Sequence, residues 1–146
     1  MATESPLICD GAQTQAAANY WNPATTLYGP NGSGQFLAVT LTAARTVTLA
    51  AAGASTVAIY GILQNTPDIG QAANVGLFGV SKVVLGAGAG AIATGSPLMV
   101  DTTNAGTLCL WVTGSHNLVV GFALEAATAA NQIFTAFITP QGGYRA

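Results

Sequence analysis

The feature that most constrains the fold is a two-residue alternation of apolar with small or polar side chains that begins near residue 36. Leu37, Val39 and Leu41 are each followed by a small or polar residue, and the alternation returns in residues 46–49. The most regular apolar face of the sequence is formed by Leu118, Val120, Phe122 and Leu124. Because successive side chains of a strand point to opposite faces, this spacing predicts β-strands with one buried face.

Short apolar runs of this kind continue to residue 138, and turn residues separate them. Asn65, Pro67, Asp68 and Gly70 form one such turn, and a Gly/Ala passage precedes the short run at residues 98–101. Strands at intervals of about 8–12 residues are typical of an all-β barrel or sandwich. We therefore predict a small barrel or sandwich of about nine short strands, over residues 36–42, 46–49, 57–63, 75–80, 83–85, 98–101, 107–112, 118–124 and 133–138.

Residues 1–35 differ from the rest of the chain and predict an extended N-terminal arm, followed by a β-domain at residues 36–146. The arm contains three of the six prolines, and its aromatic residues stand among turn residues. Residues 12–20 have a composition that allows two helical turns, but so short a helix is marginal without packing. Aromatic residues on an arm either anchor in a partner or contact the arm's own domain, and the sequence leaves both open. The Ala-rich residues 126–131 predict a loop or one short turn.

Charged residues make up 5% of the chain, against roughly 25% in ordinary soluble domains. So few charges leave little to keep a monomer apart from its neighbours, which indicates that much of the folded surface is buried in an assembly. The alternative left open is a soluble monomer covered by Thr, Ser, Asn and Gln. The net charge of −2 and the three cationic residues argue against nucleic acid as a partner.

No segment carries a signal for export or for a membrane. The first residues lack the basic region and the long apolar core of a secretory signal. The most apolar run, residues 83–93, is mostly Gly and Ala and is stopped by Gly95 and Pro97, so it does not predict a transmembrane helix. Cys9 and Cys109 do not make a disulfide scaffold, and Cys109 is predicted to be buried because it alternates with apolar neighbours. We expect a protein made in the cytoplasm, used without Sec export and without a membrane partner.

Two glycine-rich segments resemble nucleotide-binding motifs but lack residues that those motifs need. Residues 29–35 resemble a phosphate-binding loop, but Gln35 holds the position of its lysine and Phe36 the position of its hydroxyl residue. Residues 83–91 fit the dinucleotide pattern, but no helix-forming segment follows, and the nearest acid, Asp101, comes too early. We therefore expect no cofactor.

No pattern of reactive side chains predicts catalysis or metal binding. The one histidine, His116, lies in a polar turn, and neither His-x-x-x-His nor Cys-x-x-Cys spacing occurs. Asp68, Asp101 and Glu125 are the acids that folding would have to bring together for glycoside chemistry, and each stands at a turn or a strand end. We therefore predict no catalytic residue, no metal site and no enzyme activity.

Three segments between residues 60 and 127 point together to a known family. They read YGILQNTP at residues 60–67, GQAA at 70–73 with GVSKV at 79–83, and VVGFALEAA at 119–127. In combination they resemble the small capsid cement, or decoration, proteins of tailed bacteriophages. The strand at residues 36–42 fits the start of that family more loosely, so the resemblance covers about the last 110 residues.

The resemblance implies a β-rich domain, commonly a homotrimer, on the outer surface of the virion capsid. Such a protein is made in the host bacterial cytoplasm, binds the phage major capsid protein and clamps neighbouring capsid subunits, so that the expanded, DNA-filled head is stabilised. It uses no catalytic residues. The predicted capsid contacts are the large apolar residues of the arm, Tyr20, Trp21, Leu27 and Tyr28. Two alternatives stay open, namely a virion-surface or fibre domain that binds glycans and a β-protein that self-assembles into a tube or fibre.

Overall fold

The computed structural model describes residues 12–17, 34–43, 46–53, 58–67, 71–87, 89–112 and 118–139. These residues form ten short β-strands and no helix, which confirms the predicted all-β class. The strands are β1 (Ala12–Ala17), β2 (Ala38–Ala43), β3 (Thr46–Leu49), β4 (Gly61–Leu63), β5 (Ala72–Gly76), β6 (Gly79–Val84), β7 (Pro97–Val100), β8 (Leu108–Leu110), β9 (Gly121–Ala123) and β10 (Ile133–Ile138).

The first five strands close into a barrel in the order β1-β3-β2-β4-β5. Neighbouring strands are antiparallel, except that β1 runs parallel to β3. β1 closes the barrel, since its residues pair with β5 from Ala12↔Gly76 to Ala16↔Ala72 and with β3 at Ala16 and Ala17. The backbone at residues 12–17 is therefore extended but belongs to the barrel, and the helical turns considered for it do not form there. Whether residues 1–35 as a whole make an arm stays a prediction.

The other five strands form an antiparallel sheet in the order β6-β10-β9-β7-β8. Its longest ladder joins β6 to β10, from Gly79↔Ile138 to Val84↔Ile133. The sheet curls until its two ends approach each other, because Leu85, directly after β6, bridges Leu108 of β8. This second sheet has one concave face toward the barrel and one convex outer face.

The chain passes from the barrel to the second sheet at Leu77 and Phe78. The sequence predicted one strand over residues 75–80, which is wrong, since β5 ends at Gly76 and β6 begins at Gly79. The apolar alternation continues across the junction although the two strands join different sheets. Gly79 has a φ of 105°, a backbone conformation that residues with a side chain rarely adopt, and so permits the abrupt change of direction.

Two hydrophobic cores hold the domain together. The smaller lies within the barrel and consists of Val39, Val47, Leu63, Ala73 and Val75. The larger joins barrel residues such as Ala38 and Ile62 to the concave face of the second sheet, including Phe134. The barrel strands β2 and β4 contribute to both cores, so that Ala38 and Val39, or Ile62 and Leu63, are all fully buried. At these positions both strands are therefore covered on both faces.

Candidate assembly surface

The outer face of the second sheet exposes apolar side chains. On β10, Phe134 is 1% exposed and lies in the core, whereas Phe137 lies on the opposite face and is half-buried. The neighbours of Phe137 across the sheet are Val80 of β6 and Phe122 of β9. Val80 is 68% exposed and Phe122 is 41% exposed. A line of apolar side chains therefore crosses three neighbouring strands on the side turned away from the core.

Three phenylalanines pack against one another on this outer face. The rings of Phe122 and Phe137 are stacked with centroids 5.3 Å apart, and Phe78 meets Phe137 edge-on at 5.2 Å. Both geometries are favoured between aromatic rings, by about 0.5–1.5 kcal/mol per pair beyond the area they bury. Pro97 of β7 pairs with Phe122 in the sheet register and is also exposed. We call Phe78, Val80, Pro97, Phe122 and Phe137 the aromatic patch.

A close approach of two backbones keeps the rings of the patch in place. A β-carbon added at Gly121 would overlap the carbonyl oxygen of Phe137. Glycine at this position therefore lets β9 lie against β10 with Phe122 directly beside Phe137. Single exposed apolar residues are common on soluble proteins, whereas contiguous apolar patches are often functional contact sites.

A small polar cluster borders the aromatic patch. It lies at the next outward-facing positions along the strands. Lys82 of β6 lies opposite Thr135 of β10, and Lys82 Nζ donates a hydrogen bond to Thr135 Oγ1 at 2.7 Å. The backbone N–H of Thr135 donates to Glu125 Oε2 at 2.8 Å, and Lys82 Nζ lies 3.6 Å from the same oxygen. Hydrogen bonds from Thr135, with a smaller contribution from Lys82, lower the pKa of Glu125. The border thus offers one cation and one anion, and its charges cancel.

The buried polar groups of the second sheet stabilise its loops. Asp101 is 2% exposed, and its carboxylate accepts hydrogen bonds from the backbone and the hydroxyl of Thr103 and from the side-chain amide of Asn104. These bonds fix the turn between β7 and β8. Cys109 is buried as predicted, and this burial, followed by the negative charge of Asp101, raises the pKa of its thiol to about 11. Such a thiol is neutral near pH 7, so it is a poor nucleophile and a poor metal ligand.

Of the acids considered for glycoside chemistry, Asp101 and Glu125 do not share a face. Asp101 is enclosed by its own turn, while Glu125 lies on the outer face beside Lys82. Asp68 and His116 lie outside the described residues. Within the part of the chain that the structure describes, no group of three or more His, Cys, Asp or Glu residues is placed to hold a metal ion.

The dinucleotide-like segment at residues 83–91 does not open a helix. After β6 and the bridge at Leu85 the chain turns and then forms a single bridge between Ile92 and Ala127. Both Gly86 and Ala89 belong to this turn, where Ala89 N–H donates to the carbonyl of Gly86. A search of the described residues also found no helix of the length and apolar character that crossing a membrane requires.

The four residues predicted as capsid contacts, Tyr20, Trp21, Leu27 and Tyr28, lie outside the described residues, so their role stays a prediction. The structure instead presents a surface that the sequence did not single out. Its signal was present in β10, where both alternating sets of side chains include phenylalanine. A strand that covers only one core would carry polar residues on its second face.

An all-β domain of two curled layers, with apolar side chains on an outer sheet face, suits a structural protein that works by contact with other subunits. The family model of phage cement proteins matches residues 32–139, which is most of the chain. The chain belongs to the phage cement protein family. It is accordingly a structural protein of the phage virion that binds the capsid surface and stabilises it.

Two solved structures are similar in fold. The head fiber gp8.5 N base of bacteriophage phi29 is 19% identical with a TM-score of 0.57, and the match covers 88% of this chain and 93% of that one. A chain in the capsid of Myoviridae phage XM1 is 18% identical with a TM-score of 0.55, over 86% of this chain and 82% of that one. At such identities the likeness is one of fold. A comparison with curated proteins gave no match.

Proposed function

We propose that this protein acts as a homotrimer on the outside of the expanded phage head, where it clamps neighbouring major capsid subunits by non-covalent contacts and catalyses no reaction. The observation that carries the proposal is the match to the cement protein family over residues 32–139. The low charge of the chain and its exposed aromatic patch support it, since both suit a protein surrounded by other subunits.

A trimer strengthens such a clamp in two ways. Cyclic assembly hides part of the surface of each copy, which protects a chain with so few charges from indiscriminate association. It also presents every capsid contact three times, so that contacts that are weak one by one combine through their high effective concentration. Retention of the trimer on the capsid is then far stronger than one subunit's contact alone.

Within this proposal, four residues make the contacts that hold the protein on the capsid, namely Tyr20, Trp21, Leu27 and Tyr28. They follow β1, the strand that closes the barrel, by a few residues in the sequence. Fixing a flexible segment costs about 1–2 kcal/mol per residue in backbone entropy. Burial of large apolar side chains offsets this cost at about 25 cal/mol per Å², and these four are the largest apolar residues of that stretch.

The proposal is tested by adding purified protein to expanded capsids that lack it. We expect the protein to have the mass of three chains by light scattering, to sediment with the capsids and to raise the temperature at which they release DNA. Failure to bind such capsids at any salt concentration would overturn the proposal. Binding to a glycan array without binding to capsids would favour the glycan-binding alternative, and filaments in electron micrographs would favour the self-assembling one.

The role of the arm residues needs point substitutions rather than a deletion. Removing residues 1–35 would also remove β1, which pairs with both β3 and β5. We expect the combined alanine variant of the four residues, from Tyr20→Ala to Tyr28→Ala, to remain a folded trimer and to bind capsids at least tenfold more weakly. Unchanged capsid retention would reject this role for the arm while leaving the cement function intact.

A further inference from the structure

We infer that the aromatic patch is the surface through which one copy of this chain meets the next, an assignment that rests on the proposed homotrimer. The first argument is the amount of apolar area on the patch. Phe78 is 63% exposed and Phe122 is 41% exposed, and since a phenylalanine offers about 150–250 Å², the two leave on the order of 200 Å² open to solvent. Val80 adds to this, at 68% exposure.

That area is smaller than a whole interface, but the composition of the patch is that of an interface centre. Stable interfaces bury about 800 Å² on each partner, and their centres are depleted of charge and enriched in aromatic residues. The patch has this composition, and the rings of Phe78, Phe122 and Phe137 are already packed together before any partner arrives. Side chains that are ordered in advance lose little entropy on association.

The charges at the border favour a second copy over a partner with a charge of its own. Lys82 and Glu125 lie side by side and cancel, so the surface attracts neither an acidic nor a basic partner in particular. Around the three-fold axis of a trimer the patches of all three copies meet, so that neutral apolar surface faces its own kind. With 5% charged residues, this chain itself has the chemistry that the patch requires.

The position of the patch at a sheet edge points to the same partner. Among the described strands, β6 pairs only with β10, so it is an edge strand of the second sheet. Soluble monomers usually protect such an edge with free charges or proline. On β6 the charge of Lys82 is engaged by Thr135 and Glu125, and the neighbouring outward residue, Val80, is open. An exposed apolar face beside an open stretch of edge permits the sheets of neighbouring copies to pack together.

Substitution of Val80 by lysine tests the inference with one exposed residue. Val80→Lys places a charge at the centre of the proposed contact, while Leu41→Lys is the matched control, since Leu41 is 46% exposed on β2 of the barrel. Mass is measured by light scattering over a concentration series, and capsid retention by sedimentation of the same samples. We expect Val80→Lys to raise the concentration needed for trimer formation at least tenfold, and Leu41→Lys to leave it unchanged.

A milder variant distinguishes weaker self-association from a loss of folding. Val80→Thr keeps the branched shape and strand preference of valine and adds one hydroxyl, so we expect a folded protein whose self-association is several-fold weaker. Circular dichroism of both Val80 variants shows whether the monomer keeps its β-structure. A Val80→Thr protein that is folded and associates as strongly as the wild type would contradict the inference.

The two readouts separate the inference from the proposed function. If Val80→Lys remains a trimer but no longer binds capsids, the patch faces the capsid, which overturns the inference and leaves the cement function standing. If the wild type is a monomer at every concentration, the inference and the trimer fall together. If the wild type does not bind capsids but Val80→Lys dissociates its trimer, the inference holds and the proposed function fails.

Discussion

Both faces of the second sheet carry apolar side chains, yet around Phe122 and Phe137 only the concave face is covered. On β10 the concave face holds Phe134 in the larger core, at 1% exposure, whereas the convex face holds Phe137 beside two phenylalanines that remain open to solvent. The inner residues are held by many neighbours within the chain. The outer ones pack against one another beside the polar border at Lys82 and Glu125.

The difference fits two purposes for the apolar side chains of this chain, namely stability on the inner face and, as we propose, assembly on the outer face. An antiparallel sheet with one wet face normally alternates apolar residues inside with polar residues outside. Here the outer set of β10 ends in a phenylalanine, and its neighbours in register on β6 and β9 are valine and phenylalanine. The inner face stabilises the fold, and the outer face is available for assembly. Substitutions on the two faces therefore affect different measurements.

The largest effect is expected from Phe134→Ala. Removal of a fully buried phenylalanine leaves a cavity and lowers the free energy of unfolding by about 3–5 kcal/mol. Phe78→Ala, at a site 63% exposed, removes little intrachain packing and lowers it by about 1 kcal/mol or less at low protein concentration. Urea denaturation at several protein concentrations checks both values.

The concentration dependence distinguishes the two faces. The loss in Phe134→Ala stays the same at every protein concentration, because it acts within one chain. We expect the loss in Phe78→Ala to grow with concentration, because the proposed trimer would stabilise the wild type but not the variant. Equal, concentration-independent losses would show that the outer face belongs to the fold of the single chain.

A smaller loss is expected from Gly121→Ala, which acts on the contact between β9 and β10. The new methyl group meets the carbonyl oxygen of Phe137, so the strands must shift apart, at about 1–3 kcal/mol in the free energy of unfolding. The control is Gly90→Ala, at a φ of 65° with nothing near the added carbon, which isolates backbone strain. We expect Gly121→Ala to disturb the near-ultraviolet circular dichroism of the stacked phenylalanines, and Gly90→Ala to leave it unchanged. Identical spectra for both variants would contradict the close approach.

The sequence pattern alone predicted the strands whose surroundings stay the same along their length. The predicted bounds of β3 and β10 agree with the structure, since both alternate regularly and end at turn residues. The pattern failed where a residue's surroundings change without a change in residue type. Across residues 75–80 the alternation is unbroken, but the chain leaves one sheet for the other at Leu77 and Phe78. The sequence AQTQAA of β1 has no apolar alternation at all, and only its pairing with β3 and β5 reveals it as a strand.

The aromatic patch was hidden for a related reason. Leu118, Val120, Phe122 and Leu124 suggested one continuous apolar face, but β9 begins only at Gly121. Val120 before it is fully buried, while Phe122 and Leu124 after it are exposed. The regular spacing therefore joins residues on opposite sides of the sheet. Which side of a strand is covered depends on the layer that packs on it, and a single sequence does not contain that information.

A further measurement concerns the part of the second sheet away from the patch. Cys109 alternates with the core residue Leu108 and so belongs to the convex face, yet it is 6% exposed. Its pKa is raised from 9.0 to about 11, so the folded state favours the neutral thiol. That contribution to stability is complete below pH 9 and is lost as the pH rises from about 9 to about 11.

We expect Cys109→Ala to weaken the fall in stability between pH 8.5 and pH 10.5, as measured by urea denaturation. In a Cys9→Ser background, where Cys109 is the only thiol, iodoacetamide should react with native protein at least tenfold more slowly than with unfolded protein. Rapid labelling of the native protein would show that the convex face is open at Cys109 as well as at the patch.

The smallest effect is expected from Glu125→Gln at the polar border. Hydrogen bonds from Thr135 lower the pKa of Glu125 in the folded state, so the carboxylate stabilises the fold above its unfolded pKa of about 4.3, and this contribution disappears as the pH falls through the lower folded value. Both side chains of the ion pair are about half exposed, so solvent screens their attraction. We expect Glu125→Gln to be slightly less stable than the wild type at pH 7 and equal to it at pH 2. Lys82→Gln serves as the control, and its effect should shrink in high salt. A Glu125→Gln protein that dissociates the trimer as strongly as Val80→Lys would show that the charged border, rather than the apolar line beside it, holds the copies together.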